Sequence, residues 1–213
     1  MDELDILKKD WQKEDSRYPK LSYNEIYGMI LKKSSSIVKW IFIISIIEFV
    51  FWTGISFALK DTDFNKKFES YNAGNIMIPF MVLGYLILAY FFYKFFMNYR
   101  TISVTDNAKR LMENILKTRR TVKQYVAFNL IYLVVSAFLV LGIEFNRDET
   151  LISGINNASA NGELFKFYAL TILATTFILA IVIGLFLVFY YLIYGLLLKR
   201  LNTNYKELKK MEV

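Results

Sequence analysis

Two faces of this chain carry side chains that could do chemistry inside otherwise apolar segments. Ser45, Glu48, Trp52 and Ser56 are spaced by three, four and four residues. Tyr125, Asn129, Tyr132 and Ser136 are spaced by four, three and four. Each set lies on one side of a helix. A carboxyl group beside phenols and an amide can exchange a proton or hold a cation, and it can also simply bond two packed helices together. Glu48 is the only charged residue of the stretch FIISIIEFVFW, and the nearest basic residue is Lys39. An ionised side chain in such surroundings costs several kcal/mol unless water or a cation reaches it. A neutral, hydrogen-bonding acid is therefore expected.

Four apolar blocks position these faces, at about 37–59, 76–98, 122–145 and 167–198. Segments of about 17–25 mainly apolar residues cross a bilayer, and none of the four has the charged outer face that a soluble bundle helix needs. The expected fold is all-α: a polytopic membrane protein with four transmembrane helices in a bundle. A cytoplasmic amphipathic arm, 1–36, precedes this transmembrane domain of 37–213. The first apolar block follows more than thirty mostly polar residues, so no cleavable signal peptide is expected. Twenty-one of the 26 Lys and Arg residues lie in the N-terminal stretch through Lys39, in the segment from Lys94 to Lys123 around the middle loop 99–121, or in the tail 199–213. Positive residues stay on the cytoplasmic side, so both termini are expected inside. The net charge of +7 then marks topology and attraction to anionic headgroups. No recognition motif supports a nucleic-acid partner.

The halves resemble each other. IVKWIFIISIIEF at 37–49 lies over TVKQYVAFNLIYL at 121–133, and GYLILAYFFYKFFMNYR at 84–100 over GLFLVFYYLIYGLLLKR at 184–200. The identities are few, so a two-hairpin duplication and a chance likeness both stay open. As a depth ruler, the alignment pairs Glu48 with Tyr132 and Ser45 with Asn129, and it sets Tyr90 and Tyr190 at the level of Glu48. The expected intramembrane polar cluster is therefore Ser45, Glu48, Asn129, Tyr132, Ser136, Tyr90 and Tyr190. Lys94 lies about 10 Å closer to the cytoplasm, which favours a phenol or amide over a salt bridge for Glu48.

Outside the spans, Leu4, Leu7 and Trp11 share one helical face. Ser22 and Glu25 form a capping box that starts a second helix at Tyr23. In the middle loop, Thr105 or Asp106 is the expected N-cap of a third helix, with Leu111, Met112, Ile115 and Leu116 on its apolar side. Leu4, Leu7, Trp11, Lys109, Arg110, Arg119 and Arg120 are the candidate contacts for a cytoplasmic protein partner or for lipid. The fourth block spans about 48 Å as a helix and must tilt or project from a hydrocarbon core of about 30 Å.

There is no histidine and no cysteine, so no metal site, cofactor or thiol chemistry is expected. No G-x-S-x-G, no H-E-x-x-H and no aspartate pair on facing spans is present, and a non-enzymatic role follows. The segments MDELDILKKDWQKE, ILKKSSSIVKWIF and AKRLMENILKTRRTVKQY resemble those of small four-span membrane proteins from Bacteroidota. That resemblance implies a bacterial inner membrane. Some members carry a carotenoid-oxygenase label, which implies an iron site of four histidines that this chain cannot make. The short arm before a span is also similar to that of membrane-tethered anti-sigma regulators. An intramembrane enzyme, in which a Glu with tyrosines moves protons, comes third to two other functions. One is a regulatory or assembly protein that docks a partner through arm, loop and tail. The other is a transporter or channel using Glu48, which calls for a homo-oligomer because four spans rarely enclose a path alone.

Overall fold

The structure is a computed structural model that describes residues 21–105 and 107–211. The expected face of Leu4, Leu7 and Trp11 lies outside the described residues. The described chain is helical, and four of its helices are long and apolar enough to cross a membrane. Helix α1 covers Tyr23–Ala58, the short α2 Asp63–Ser70, α3 Gly74–Ser103 and α4 Ala108–Arg147. Helix α5 covers Glu149–Ala160 and α6 Leu164–Tyr190. A π-helical turn at Tyr191–Gly195 joins α6 without a break to α7, Leu196–Met211. One end of the bundle, the basal end, carries the start of α1, the 104–107 connection and α7. The distal end carries α2 and α5.

Local signals set the helix ends. The Ser22 hydroxyl accepts from the Glu25 amide, and the Glu25 carboxylate accepts from the Ser22 amide at 2.7 Å. This reciprocal cap satisfies two donors that the first turn leaves free. Those bonds hold the Glu25 carboxyl below its ordinary range. Helix α4 is capped by Asn107, whose side chain accepts from the Lys109 amide. Thr105, one of the expected caps, is buried instead, and its hydroxyl donates to the Thr101 carbonyl. Asn107 leaves it free to end α3. Helix α5 closes on Gly162, whose φ of +72° is the left-handed region. The Glu163 and Gly162 amides there donate back to the Ala158 and Ser159 carbonyls.

Burial inverts along the bundle. At the basal end, Ile30, Ile102, Leu111, Ile115, Leu201 and Leu208 form a buried apolar core, while Lys32, Lys109, Arg110, Lys206 and Lys210 are exposed. The buried positions recur every three and four residues: 30, 34, 37, 41, 45 and 48 on α1, and 111, 115, 118, 122 and 125 on α4. This is the spacing of a left-handed helical bundle seam. Toward the distal end the large apolar side chains face outward, among them Phe51, Phe57, Leu86, Phe165, Phe177 and Leu185. Helix α6 buries only Tyr190, at its last position. An apolar exterior with every backbone group bonded within the helices is what lipid demands, and a charged exterior over an apolar core is what water demands. The chain is a membrane protein whose bundle continues beyond the apolar layer at its basal end. At 1.5 Å per residue, α4 alone is about 60 Å long, about twice a hydrocarbon core.

Candidate functional site

Glu48 lies at the level where the two regimes meet. Its carboxylate is 6% exposed. Three phenols donate to it: Tyr190 to Oε1 at 2.8 Å, and Tyr194 and Tyr125 to Oε2 at 2.8 and 3.0 Å. All three rings are buried. Tyr125 and Tyr194 meet at 5.9 Å between ring centroids, and Phe95 packs on Tyr125 at 5.4 Å. The knot thus ties α1 to α4, to the end of α6 and to the π turn itself. That turn separates α6, whose only buried residue is Tyr190, from α7, which buries Leu201, Asn204 and Leu208 in the basal core. Tyr190 closes the first, and Tyr194 sits within the turn. π turns concentrate where a helix carries a functional irregularity.

The donor inventory permits two protonation states. An ionised carboxylate only accepts, and it has room for all three phenols. A protonated one gains a donor, and each phenol oxygen retains lone pairs to receive it. The cluster can therefore store or release one proton without losing every bond. No basic side chain pairs with Glu48 among the described residues. Lys94 instead lies over the Tyr90 ring, 4.8 Å from its centroid.

The structure brings some of the expected cluster together and disperses the rest. Glu48 and Tyr190 meet. Ser45 is fully buried one turn below Glu48, but its hydroxyl donates to the Phe42 carbonyl of its own helix. Asn129 lies against the Tyr125 and Tyr190 phenols, and its buried Nδ2 makes no bond of good geometry among the described residues. Tyr132 is not beside Glu48. It stacks on Phe80 at 4.5 Å, donates to the Phe80 carbonyl at 3.4 Å, and fills the space over Gly84. A Cβ on Gly84 would come within 2.7 Å of that ring, so the close approach of α3 and α4 needs glycine there. Ser136 donates to the Leu133 carbonyl, and Tyr90 is half exposed and turned outward. Trp52 and Ser56, on the same face of α1 as Glu48, are exposed, with Trp52 stacked on Phe186 at 5.3 Å.

The ruler failed because the hairpins are not in register. The residue of α4 level with Glu48 is Tyr125, seven positions before Tyr132, a shift of about 10 Å along the helix. Two turns of a helix return to the same face, so the face survived the error and the depth did not. Tyr194 was missed altogether, although its spacing of four from Tyr190 was a usable signal.

A family model described as a domain of unknown function, DUF8845, matches residues 24–213. The chain belongs to that family. The DUF8845 match covers all four long helices and the whole Glu48 knot. Comparison with curated proteins and with solved structures gave no match. Family membership thus agrees with an uncharacterised membrane protein and supplies neither a source organism nor a reaction.

Among the remaining expected contacts, Lys109, Arg110 and Arg120 are exposed on α4. Arg119 turns toward α7 and donates to Asn202 at 2.8 Å. Leu111 and Ile115 are fully buried, while Leu116 is 43% exposed. A second buried polar pair, Asn204 donating to Ser34 at 2.9 Å, joins α7 to α1 deep in the basal core.

Proposed function

We propose that this DUF8845 protein is a non-enzymatic regulatory or assembly factor of a bacterial inner membrane, with both termini in the cytoplasm. The orientation follows from the basic residues concentrated at the basal end. The observation that carries the role is the basal bundle. Four helices continue past the apolar layer with a packed core, so they present a rigid, charged surface to one compartment, while the distal connections are short helices. Rigid presentation lowers the ordering cost of binding a partner. Exposed Lys109, Arg110 and Arg120 are the expected contacts on α4, with Leu4, Leu7 and Trp11 of the segment that precedes α1 in sequence.

Complementation of a deletion strain tests this reading. Replacing Lys109, Arg110 and Arg120 by Gln, or removing residues 1–20, should abolish complementation with unchanged membrane insertion. Normal complementation by both variants would sink the proposal.

One observation favours a second reading, an oligomeric transporter or channel. The buried Asn129 Nδ2, a donor without a geometric partner among the described residues, is a place where a water could be held, and the Glu48 carboxyl and phenol oxygens beside it are the acceptors a cation would need. Glu48→Gln keeps an acceptor and removes titration. Flux through proteoliposomes that is indifferent to this substitution would discard Glu48 as the coupling group.

A further inference from the structure

A groove of about 460 Å³ runs between α1 and α7 at the height where charged exterior gives way to apolar exterior. Lys32, Lys33 and Arg200 line its basal side together with Met29, and Ile37, Leu197 and Trp40 line its other side with Ser36. The three cations make no ion pair among the described residues, whose two salt bridges, Lys67–Asp148 and Lys166–Glu163, both lie at the distal end. Trp40 is 54% exposed and stands at the start of the apolar run, the position of an interfacial tryptophan. The groove is thus cationic where headgroups lie and apolar where acyl chains begin.

We infer that this groove holds the phosphodiester headgroup of an anionic phospholipid. The phosphate sits among Lys32, Lys33 and Arg200, and the first methylenes of an acyl chain rest on Trp40 and Leu197. Arginine suits a phosphate because its fork donates two parallel bonds, and the lysines supply charge without fixed geometry. Basic pockets between membrane helices recognise anionic headgroups in this way. A soluble phosphate would leave the apolar side of the groove unused. The inference requires that the helices span a bilayer. It does not require a docked partner or a particular orientation, so it stands or falls apart from the proposed function.

Quenching of Trp40 fluorescence by brominated lipid tests it, in a full-length chain with Trp11→Phe and Trp52→Phe. Vesicles of phosphatidylcholine are doped with brominated phosphatidylglycerol or with brominated phosphatidylcholine. Each basic side chain near an anionic surface raises association about fivefold, so the anionic lipid should be preferred at Trp40 by about fivefold or more. The preference should fall to about one in the variant carrying Lys32→Gln, Lys33→Gln and Arg200→Gln. Three outcomes overturn the inference: equal quenching by both lipids in the unaltered groove, a preference that survives the triple substitution, or a preference abolished by inorganic phosphate, which marks a soluble-anion site. If the triple variant does not insert, seen as lost quenching by phosphatidylcholine, Arg200→Gln alone carries the test: the preference should fall about fivefold, and an unchanged preference overturns the inference.

Discussion

Two carboxylates in this molecule are equally buried and differently partnered. Glu48 and Asp148 are each 6% exposed, and a tyrosine donates to each. Asp148, at the distal surface, also has the Lys67 ammonium at 2.5 Å and the Thr150 and Leu151 amides, which it caps at the start of α5. Glu48, between spans, has phenols alone. The difference follows from depth. At the surface a lysine can reach a buried acid while its own head stays in water, and Lys67 is half exposed. Between spans a lysine would have to be desolvated as well, and a phenol brings a donor on an apolar body. The surface acid is a charged latch on a loop, and the inner acid joins three helical segments.

The largest effect expected from breaking this comparison is at Glu48. Glu48→Ala removes the shared acceptor of three buried phenols and opens a cavity. A buried donor left unsatisfied costs about 1–3 kcal/mol, and the loss should reach about 2–4 kcal/mol once the cavity is added. Thermal unfolding in detergent measures it. A melting temperature within error of the parent would mean that the phenols find other acceptors and that Glu48 joins nothing.

Single removals of the phenols should be smaller and unequal. Tyr190→Phe takes the sole donor from Oε1, whereas Tyr125→Phe and Tyr194→Phe each leave one donor on Oε2. Interhelical polar bonds average about 0.6 kcal/mol in membranes and reach about 1.7. Tyr190→Phe should fall near the upper figure and the other two near the lower. Double-mutant cycles with Glu48→Gln should show coupling, since the groups share one acceptor. Additive losses would dissolve the knot into independent contacts.

The fold was legible in the sequence because hydrophobic length reports it directly. The inward placement of Ser45, Glu48 and Tyr125 was legible too, since a polar group in an apolar run has few other places to go, but Trp52 and Ser56 of the same expected face are exposed. Depth was not. Helical periodicity repeats every seven residues, so a face cannot tell Tyr125 from Tyr132; only the packing of α3 on α4 through Gly84 and Tyr132 sets the offset. The π turn was equally hidden, because YLIYG reads as unbroken helix until the bundle requires one extra residue there. Lys67 and Tyr71 come seventy-seven or more residues before Asp148, and no local pattern connects them.

At the distal end the losses should be smaller again and confined to one element. Asp148→Ala removes the cap, the bond from Tyr71 and the partner of Lys67. A lost cap corresponds to about a fivefold rise in local opening, to be read as faster amide exchange at Thr150 and Leu151. Asp148→Asn keeps a capping oxygen, because asparagine serves as well as aspartate there. It should therefore restore most of the protection. Equal exchange in the two variants would show that the Lys67 ion pair, not the cap, holds α5.

The smallest effect is the response of the distal latch to pH. Lys67, Tyr71 and the amides of Leu151 and Thr150 hold the Asp148 carboxyl well below its ordinary 3.8. A depressed carboxyl contributes stability above its unfolded value and loses it as pH falls through the folded one. The bond to Asp148 holds Lys67 above its ordinary 10.5. A raised ammonium contributes stability below its unfolded value and loses it as pH rises through the folded one. The latch should therefore be insensitive to pH between about 4 and 10, weakening only outside that window. Exchange at Thr150 and Leu151, corrected for intrinsic rates, should be flat from about pH 5 to 8. If opening of α5 changes within that range, the latch is governed by a group other than Asp148 and Lys67. A change in the same range that disappears with Glu48→Gln would place that group in the phenol knot and link the two ends of the bundle.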